Sequence, residues 1–149
     1  MSERNYLKYW LPVILWVGVI FWMSSDTFSS SNTSRIIEPI LRYLRPHISK
    51  AHVQLIQGII RKLAHVSIYF VLSSLLFRAF RSGSKDFKTL RWILYSMITT
   101  ALVASLDEYH QSFVVSRTAS IIDVGIDTLG GFMAQYAILL RNRINGIDS

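Results

Sequence analysis

Four long apolar stretches constrain the fold of this chain more than any other feature. They run from Tyr9 to Met23, Leu63 to Phe80, Trp92 to Leu106 and Ala119 to Leu140. A helix that crosses a bilayer needs about 20 predominantly apolar residues, with some latitude below that length. With 51% hydrophobic residues, the chain also has too little polar surface for an ordinary soluble domain. We therefore predict a single all-α integral membrane domain over residues 1–149 with four transmembrane helices. The spans lie at about 9–24, 62–80, 91–108 and 119–140.

The distribution of basic residues predicts the orientation of these spans. Nine Lys and Arg residues lie on the side shared by the two termini and the second loop: Arg4, Lys8, Arg78, Arg81, Lys85, Lys88, Arg91, Arg141 and Arg143. Seven lie on the other side, mostly in a much longer loop: Arg35, Arg42, Arg45, Lys50, Arg61, Lys62 and Arg117. Basic residues in short loops favour the cytoplasm, so both termini are predicted to be cytoplasmic in a multi-pass protein of the cell membrane. A cleaved signal peptide is not expected, because small residues are missing at the cleavage positions around Trp22 to Ser25.

The net charge of +7 would suggest a nucleic-acid partner in a soluble protein, but it does not do so here. The basic residues are dispersed between the apolar stretches, and no stacking module for nucleic acid is visible. Anionic lipid headgroups are therefore the expected counterions, and nucleic acid is not an expected partner. The chain has no cysteine, which excludes disulfides, thiolate nucleophiles and Cys-ligated metals.

The polar loop over residues 25–61 contains two apolar stripes at helical spacing. The first includes Ile36, Ile40 and Leu44, and the pattern ends at Pro46. A helix is expected to begin near Pro39, because proline is tolerated in a first turn. The second stripe runs from Val53 to Ile60, with Ser49 as a candidate cap, and leads into the second span. Both stripes predict amphipathic helices in the membrane interface, and a hairpin folded back on the spans is the alternative.

The segment from Ser105 to Gly131 gathers four of the nine acidic residues beside and inside an apolar run: Asp107, Glu108, Asp123 and Asp127. A carboxylate near the bilayer centre costs about 2.5–3.5 kcal/mol even on the lenient insertion scale, so these groups should face protein or trapped water. Lys62, His65 and Tyr69 share one face of the second span, and the predicted topology brings them to the same outer side. The preferred arrangement has Arg117 between a carboxylate at Asp107 or Glu108 and an aspartate of the fourth span.

The residues of this polar set carry a resemblance to a known family. KLAHVSIYFVL, over residues 62–72, and SLDEYHQSFVVSRTASIIDVGIDTLGG, over 105–131, resemble the VanZ-like family of small bacterial membrane proteins. The similarity extends from about Ser24 to Ala134. The matching positions are Lys62, His65, Tyr69, Asp107, Glu108, Gln111, Arg117, Asp123 and Gly130.

The chain departs from the family pattern at two places. The family usually has a Pro-Gly turn where this chain has Val115 and Ser116, and many relatives carry asparagine at the position of Asp127. The resemblance implies a polytopic protein of the cell envelope, whose founding member is associated with resistance to the glycopeptide teicoplanin. It implies no accepted reaction.

From the residues and the resemblance together, we predict an outer-face site that binds an amphiphilic anionic molecule of the cell envelope and affects glycopeptide susceptibility. Lys62 and Arg117 would bind the anionic group, while Asp107, Glu108 and Asp123 hold these cations in place. Asp127 is a further predicted binding residue. Tyr69 and Gln111 would orient the ligand by hydrogen bonds. The expected partners are membrane lipids or a lipid-linked envelope precursor.

Two alternative functions stay open at this level. The cluster could be an ion-pair network that only fixes helix register in a small interaction protein. It could instead serve a membrane-embedded hydrolase or transferase for lipid-linked phosphate or sugar, with Glu108 or His65 as the acid or base. No cofactor is expected, although the residue types would suit a divalent cation, and a homodimer is also compatible with the sequence.

Overall fold

The computed structural model describes residues 3–25, 30–82, 89–114 and 119–144, and this part of the chain is helical, without strands. The helices are α1 (Glu3–Met23), α2 (Ser30–Leu44), α3 (Lys50–Arg81), α4 (Thr89–Gln111) and α5 (Ile121–Ile144). The all-helical prediction is therefore confirmed for these residues. By length and composition, α3 is the one described helix able to cross a membrane, and Leu7–Met23 is a shorter apolar segment.

The first loop differs from its prediction in where its helices begin. α2 starts at Ser30, and Pro39 lies inside the helix rather than near its start. The proline removes the hydrogen bond to the carbonyl of Arg35, but both residues are exposed, so solvent or headgroups can satisfy that carbonyl. The second stripe is the first part of α3 and not a separate helix. Ser49 caps it as expected, because its side chain accepts the backbone N–H of His52 at 3.3 Å.

α3 is the central helix of the bundle and contacts each of the other four, with α5 as its most extensive partner. Its buried residues Tyr69, Leu72 and Leu76 pack in one core cluster with Val13 and Ile20 of α1. The indole Nε1 of Trp16 also ties α1 to α3 by donating to the carbonyl of Ile68 at 3.0 Å. The core is therefore organised around a single long helix.

Small residues let α5 approach α3 closely. Gly130, Gly131 and Ala134 are buried residues of α5. A Cβ atom added to Gly130 would fall against the backbone carbonyl of Val66, well inside van der Waals distance. The backbones of α5 and α3 are therefore in close contact at Gly130, as is common where small residues line a contact between helices.

Polar groups lie inside the bundle while apolar side chains cover its outside. The buried side-chain amide of Gln135 donates to the carbonyl and the hydroxyl of Ser73, at 3.0 and 2.7 Å. Large side chains such as Ile14 of α1, Ile98 of α4 and Phe132 of α5 are exposed. Extensive exposed apolar surface of this kind is typical of proteins that contact lipid or a partner.

The two ends of the bundle differ in chemistry. At the end where α3 stops and α4 begins, Trp10 packs edge-on against Phe80, with ring centroids 5.2 Å apart. The guanidinium of Arg78 lies 5.4 Å from the ring of Tyr9, and that of Arg91 lies 4.8 Å from the ring of Trp92. The opposite end holds the acidic side chains described next.

Candidate functional site

The structure brings most of the sequence-predicted site residues to one end of α3, α4 and α5. A ring nitrogen of His65 and carboxylate oxygens of Asp107 and Asp127 lie within 4.8 Å of one another. We call these three residues the His–Asp cluster. Arg117 lies outside the described residues, so its expected place between carboxylates stays a prediction.

His65 and Asp127 form the most direct contact in the His–Asp cluster. Nδ1 of His65 lies 3.0 Å from Oδ1 of Asp127. The histidine side chain is 21% exposed, whereas the aspartate side chain is fully buried. The buried carboxylate therefore fixes the orientation of a ring whose edge reaches the surface of the bundle.

Asp107 is positioned by Gln111, one turn later on α4. The amide Nε2 of Gln111 donates to Oδ2 of Asp107 at 3.1 Å and to the hydroxyl of Ser24 at 3.2 Å. Ser24 follows α1, so this amide links the end of α1 to the acidic end of α4. Gln111 thus orients an aspartate instead of a ligand in this arrangement.

Glu108 points toward the start of α5. Its Oε2 accepts the backbone N–H of Ser120 at 2.7 Å, just before the first residue of the helix. The hydroxyl of Ser120 in turn accepts the N–H of Ile122 at 3.2 Å. A carboxylate is favourable at a helix N-terminus, where backbone N–H groups lack partners. Glu108 therefore stabilises the start of α5.

The carboxylates of this region have few partners. One oxygen each of Asp107, Glu108 and Asp127 is buried without a hydrogen-bond partner in the described part of the chain. Within those residues, no Lys or Arg side chain forms an ion pair with any of the three, and His65, which contacts Asp127, is the one basic partner. Such unpaired buried acceptors are uncommon in folded proteins.

A cavity of about 110 Å³ opens beside the His–Asp cluster. Its wall is mainly apolar, and Ile20 and Met23 of α1 form part of it. Arg61, His65 and Tyr69 of α3 also line it, together with Asp107. The cavity thus joins an apolar surface to a cation and to two members of the cluster.

A smaller crevice lies on the α5 side of His65. It is lined by Arg61 and Lys62 of α3 and by Asp123 and Asp127 of α5. Lys62 is exposed and Asp123 is partly exposed. These two predicted binding residues therefore lie at the rim, while Tyr69 is buried at the cavity wall.

The sequence matches the VanZ/LLP1 family over residues 9–142, which includes nearly all of the helical bundle and every residue of the His–Asp cluster. The chain belongs to the VanZ/LLP1 family. The resemblance noted in the sequence is thereby confirmed, and family membership together with the apolar α3 supports a membrane protein. No curated protein and no solved structure gave a significant match.

Two polar residues of this VanZ/LLP1 protein were absent from the predicted site. Arg61 lines both the cavity and the crevice, whereas the adjacent Lys62 had been preferred as the cation. Ser24 is buried and holds Gln111. Its position directly after the first apolar stretch was the available signal, but only the folded bundle shows that α1 ends beside α4.

Proposed function

We propose that this VanZ/LLP1 protein crosses the cell membrane four times, with both termini in the cytoplasm and the His–Asp cluster near the outer face. The outward apolar surfaces of α1, α4 and α5 support this arrangement. The belt of aromatic and Arg side chains at the opposite end also supports it, because such belts mark the membrane interface. In this arrangement, the acidic side chains within α4 and α5 would face the interior of the bundle and not the lipid.

The α2 helix fits the membrane interface in this arrangement. Its apolar side chains Ile36, Ile40 and Tyr43 are 68%, 55% and 86% exposed. Its polar side packs in part on α3, where the hydroxyl of Ser34 donates to the side-chain oxygen of Gln57 at 2.9 Å. A helix with one apolar exposed face and one polar face is suited to lie at the boundary between headgroups and acyl chains.

The orientation can be tested with single cysteines, since the chain has none of its own. Ser112→Cys, exposed after α4, should react with an impermeant thiol reagent on intact cells. Arg143→Cys, exposed near the end of α5, should react only after the cells are lysed. The reverse pattern would place the cluster at the inner face and remove the argument for an extracytoplasmic ligand.

We infer that the cavity beside the His–Asp cluster binds an amphiphilic anionic molecule of the cell envelope. The observation that carries this proposal is the combination of apolar walls with Arg61 in one cavity. An anionic group would contact Arg61, with Lys62 and Arg117 as further cations, while an apolar portion contacts Ile20 and Met23. The carboxylate of Asp123, beside Lys62 in the crevice, would hold that lysine in place.

The size of the cavity limits what enters it. Drug-sized ligands occupy pockets of about 300–1,000 Å³, and this cavity has about 110 Å³. It would therefore hold one headgroup or the end of one chain, with the rest of the molecule in the surrounding membrane. An effect on glycopeptide susceptibility would follow if the bound molecule is an envelope precursor or a lipid that contacts the drug.

Native mass spectrometry of protein gently extracted from its own membrane tests this proposal. A co-purifying anionic amphiphile is expected on the wild type and should be reduced severalfold by Arg61→Gln, because the cation in the cavity is lost. Ala64→Phe should also reduce it by filling the cavity, which Ala64 lines. The matched control is Arg91→Gln, at the aromatic end of the bundle, which should retain the ligand.

The same spectra contain the contradicting outcomes. Wild-type protein without any bound amphiphile, or equal retention by Arg61→Gln and Ala64→Phe, would refute binding in this cavity. Arg61 and the other residues that line the cavity would then have only a structural role. A homodimer, if it forms, appears directly as twice the chain mass.

A catalytic role is the second candidate, and the contact between His65 and Asp127 favours it. A buried carboxylate that accepts from Nδ1 orients an imidazole as a general base. In this alternative His65 carries the proton during hydrolysis or transfer at a lipid-linked phosphate or sugar, with Glu108 as the second acid–base group. Release of phosphate from such a lipid by wild type but not by His65→Gln would support it.

A further inference from the structure

The His–Asp cluster has the composition of a metal site distributed over three helices. α3 contributes His65, α4 contributes Asp107 and α5 contributes Asp127. Their candidate ligand atoms all lie within 4.8 Å of one another. Atoms bound to a transition metal at about 2.0–2.2 Å lie roughly 3–3.5 Å apart when adjacent. Closing the cluster around an ion would therefore take rotamer adjustments and no movement of a helix.

Burial supplies a second and independent observation. Asp107 is 1% exposed and Asp127 is fully buried. Each retains one buried oxygen without a hydrogen-bond partner in the described part of the chain. A carboxylate oxygen in this position normally accepts a hydrogen bond or binds a cation. Two such oxygens belong to the same pair of carboxylates that face His65.

The charge of the region points the same way. Two carboxylates in the interior need compensation when they are ionised, and the described residues offer them no Lys or Arg ion pair. A divalent cation would neutralise both at once. Gln111 would hold Asp107 from outside the metal, through the bond from Nε2 to Oδ2 at 3.1 Å. Such outer contacts are common around metal ligands.

We propose that His65, Asp107 and Asp127 bind one divalent transition metal ion of the Mn²⁺ or Zn²⁺ class. The imidazole ligand favours these ions over Mg²⁺ and Ca²⁺, which prefer oxygen ligands alone. The ion would replace the direct contact between Nδ1 of His65 and Asp127, and it would bind the oxygens that lack partners, Oδ1 of Asp107 and Oδ2 of Asp127. Three protein ligands leave at least one coordination position for water or an anion. The proposal concerns the His–Asp cluster alone and holds whether or not the cavity binds an amphiphile.

Mn²⁺ binding to the full-length protein in detergent, followed by electron paramagnetic resonance after removal of metal with a chelator, tests the site. We expect one Mn²⁺ per chain, displaced stoichiometrically by Zn²⁺. Asp107→Asn and Asp127→Asn should each weaken binding by about tenfold or more, since changes even to outer contacts cost about 10–100-fold. Glu38→Gln is the control, because it removes a carboxylate that pairs with Arg42 on α2.

Several results would overturn the proposal. If wild-type protein that is folded by circular dichroism does not bind Mn²⁺ or Zn²⁺ stoichiometrically, the proposal is refuted. This result does not depend on whether any variant folds. Unchanged affinity in both asparagine variants would place any bound ion elsewhere. No lipid is added in this experiment, so its failure is independent of the amphiphile measurement.

Discussion

Replacing Gly130 with alanine is expected to lower the free energy of unfolding by about 2 kcal/mol. The added methyl group would meet the backbone carbonyl of Val66, and a backbone atom cannot rotate away as a side chain can. The two helices must separate, which affects the most extensive contact in the bundle. Overpacking of this kind costs about 1–3 kcal/mol or more. The higher helix propensity of alanine offsets at most about 1 kcal/mol of this loss. Thermal unfolding in detergent measures the difference.

Gly125→Ala is the matched control for this substitution. Gly125 lies on the same helix, but a Cβ there meets no atom within 4 Å. Only the propensity gain remains, so stability should stay equal or rise by up to about 1 kcal/mol. If Gly130→Ala proved as stable as Gly125→Ala, α5 would not pack against the backbone of α3 in the way described.

Glu108→Ala is expected to destabilise the protein by about 2–3 kcal/mol. The substitution removes the oxygen that accepts the N–H of Ser120 at 2.7 Å. It leaves that donor without its acceptor at the start of α5, and it creates a small cavity at a buried position. The contact is also charge-assisted and lies at the positive end of the helix dipole, which places it among the stronger hydrogen bonds. Chemical unfolding in mixed micelles measures the loss.

Glu108→Gln separates the hydrogen bond from the charge. The amide oxygen can still accept the N–H of Ser120, so most of the stability should return, with a loss below about 1 kcal/mol. A glutamine variant as unstable as the alanine variant would show that the charge itself is required. In that case the negative charge near the start of α5, and not the hydrogen bond to Ser120 alone, would account for the stabilisation.

The sequence predicted the helices best where apolar runs and caps coincide. The start of α3 was expected from Ser49, since a serine before an apolar stripe satisfies an exposed N–H. The start of α2 differs from its prediction, because this helix accommodates a proline in its interior. Pro39 is exposed, and an exposed helix can leave the carbonyl one turn earlier to solvent.

The candidate site was predictable in its acidic members but not in its connections. Helical spacing placed Lys62, His65 and Tyr69 on one face, and carboxylates within an apolar run indicated an interior position. Spacing along a helix cannot show which neighbour a side chain meets across the bundle. The bond from Gln111 to Ser24 joins residues 87 positions apart, and the contact of Glu108 with Ser120 depends on how the chain turns between α4 and α5. The rotation of α3 about its axis also decides which basic residue lines the apolar cavity. In the structure that residue is Arg61.

The length of α3 has a consequence for how this protein tolerates insertions. Its 32 residues span roughly 48 Å at about 1.5 Å per residue, whereas a bilayer core is about 30 Å thick. In the proposed arrangement, the part of α3 from Lys50 to Arg61 extends beyond the core and carries α2. One residue added there would turn α2 by about 100° around the axis of α3 and move its apolar face away from the membrane. Natural variation in chain length is therefore expected in the turn over residues 45–49. An insertion there changes the distance that the turn can span and does not rotate α2 around the axis of α3.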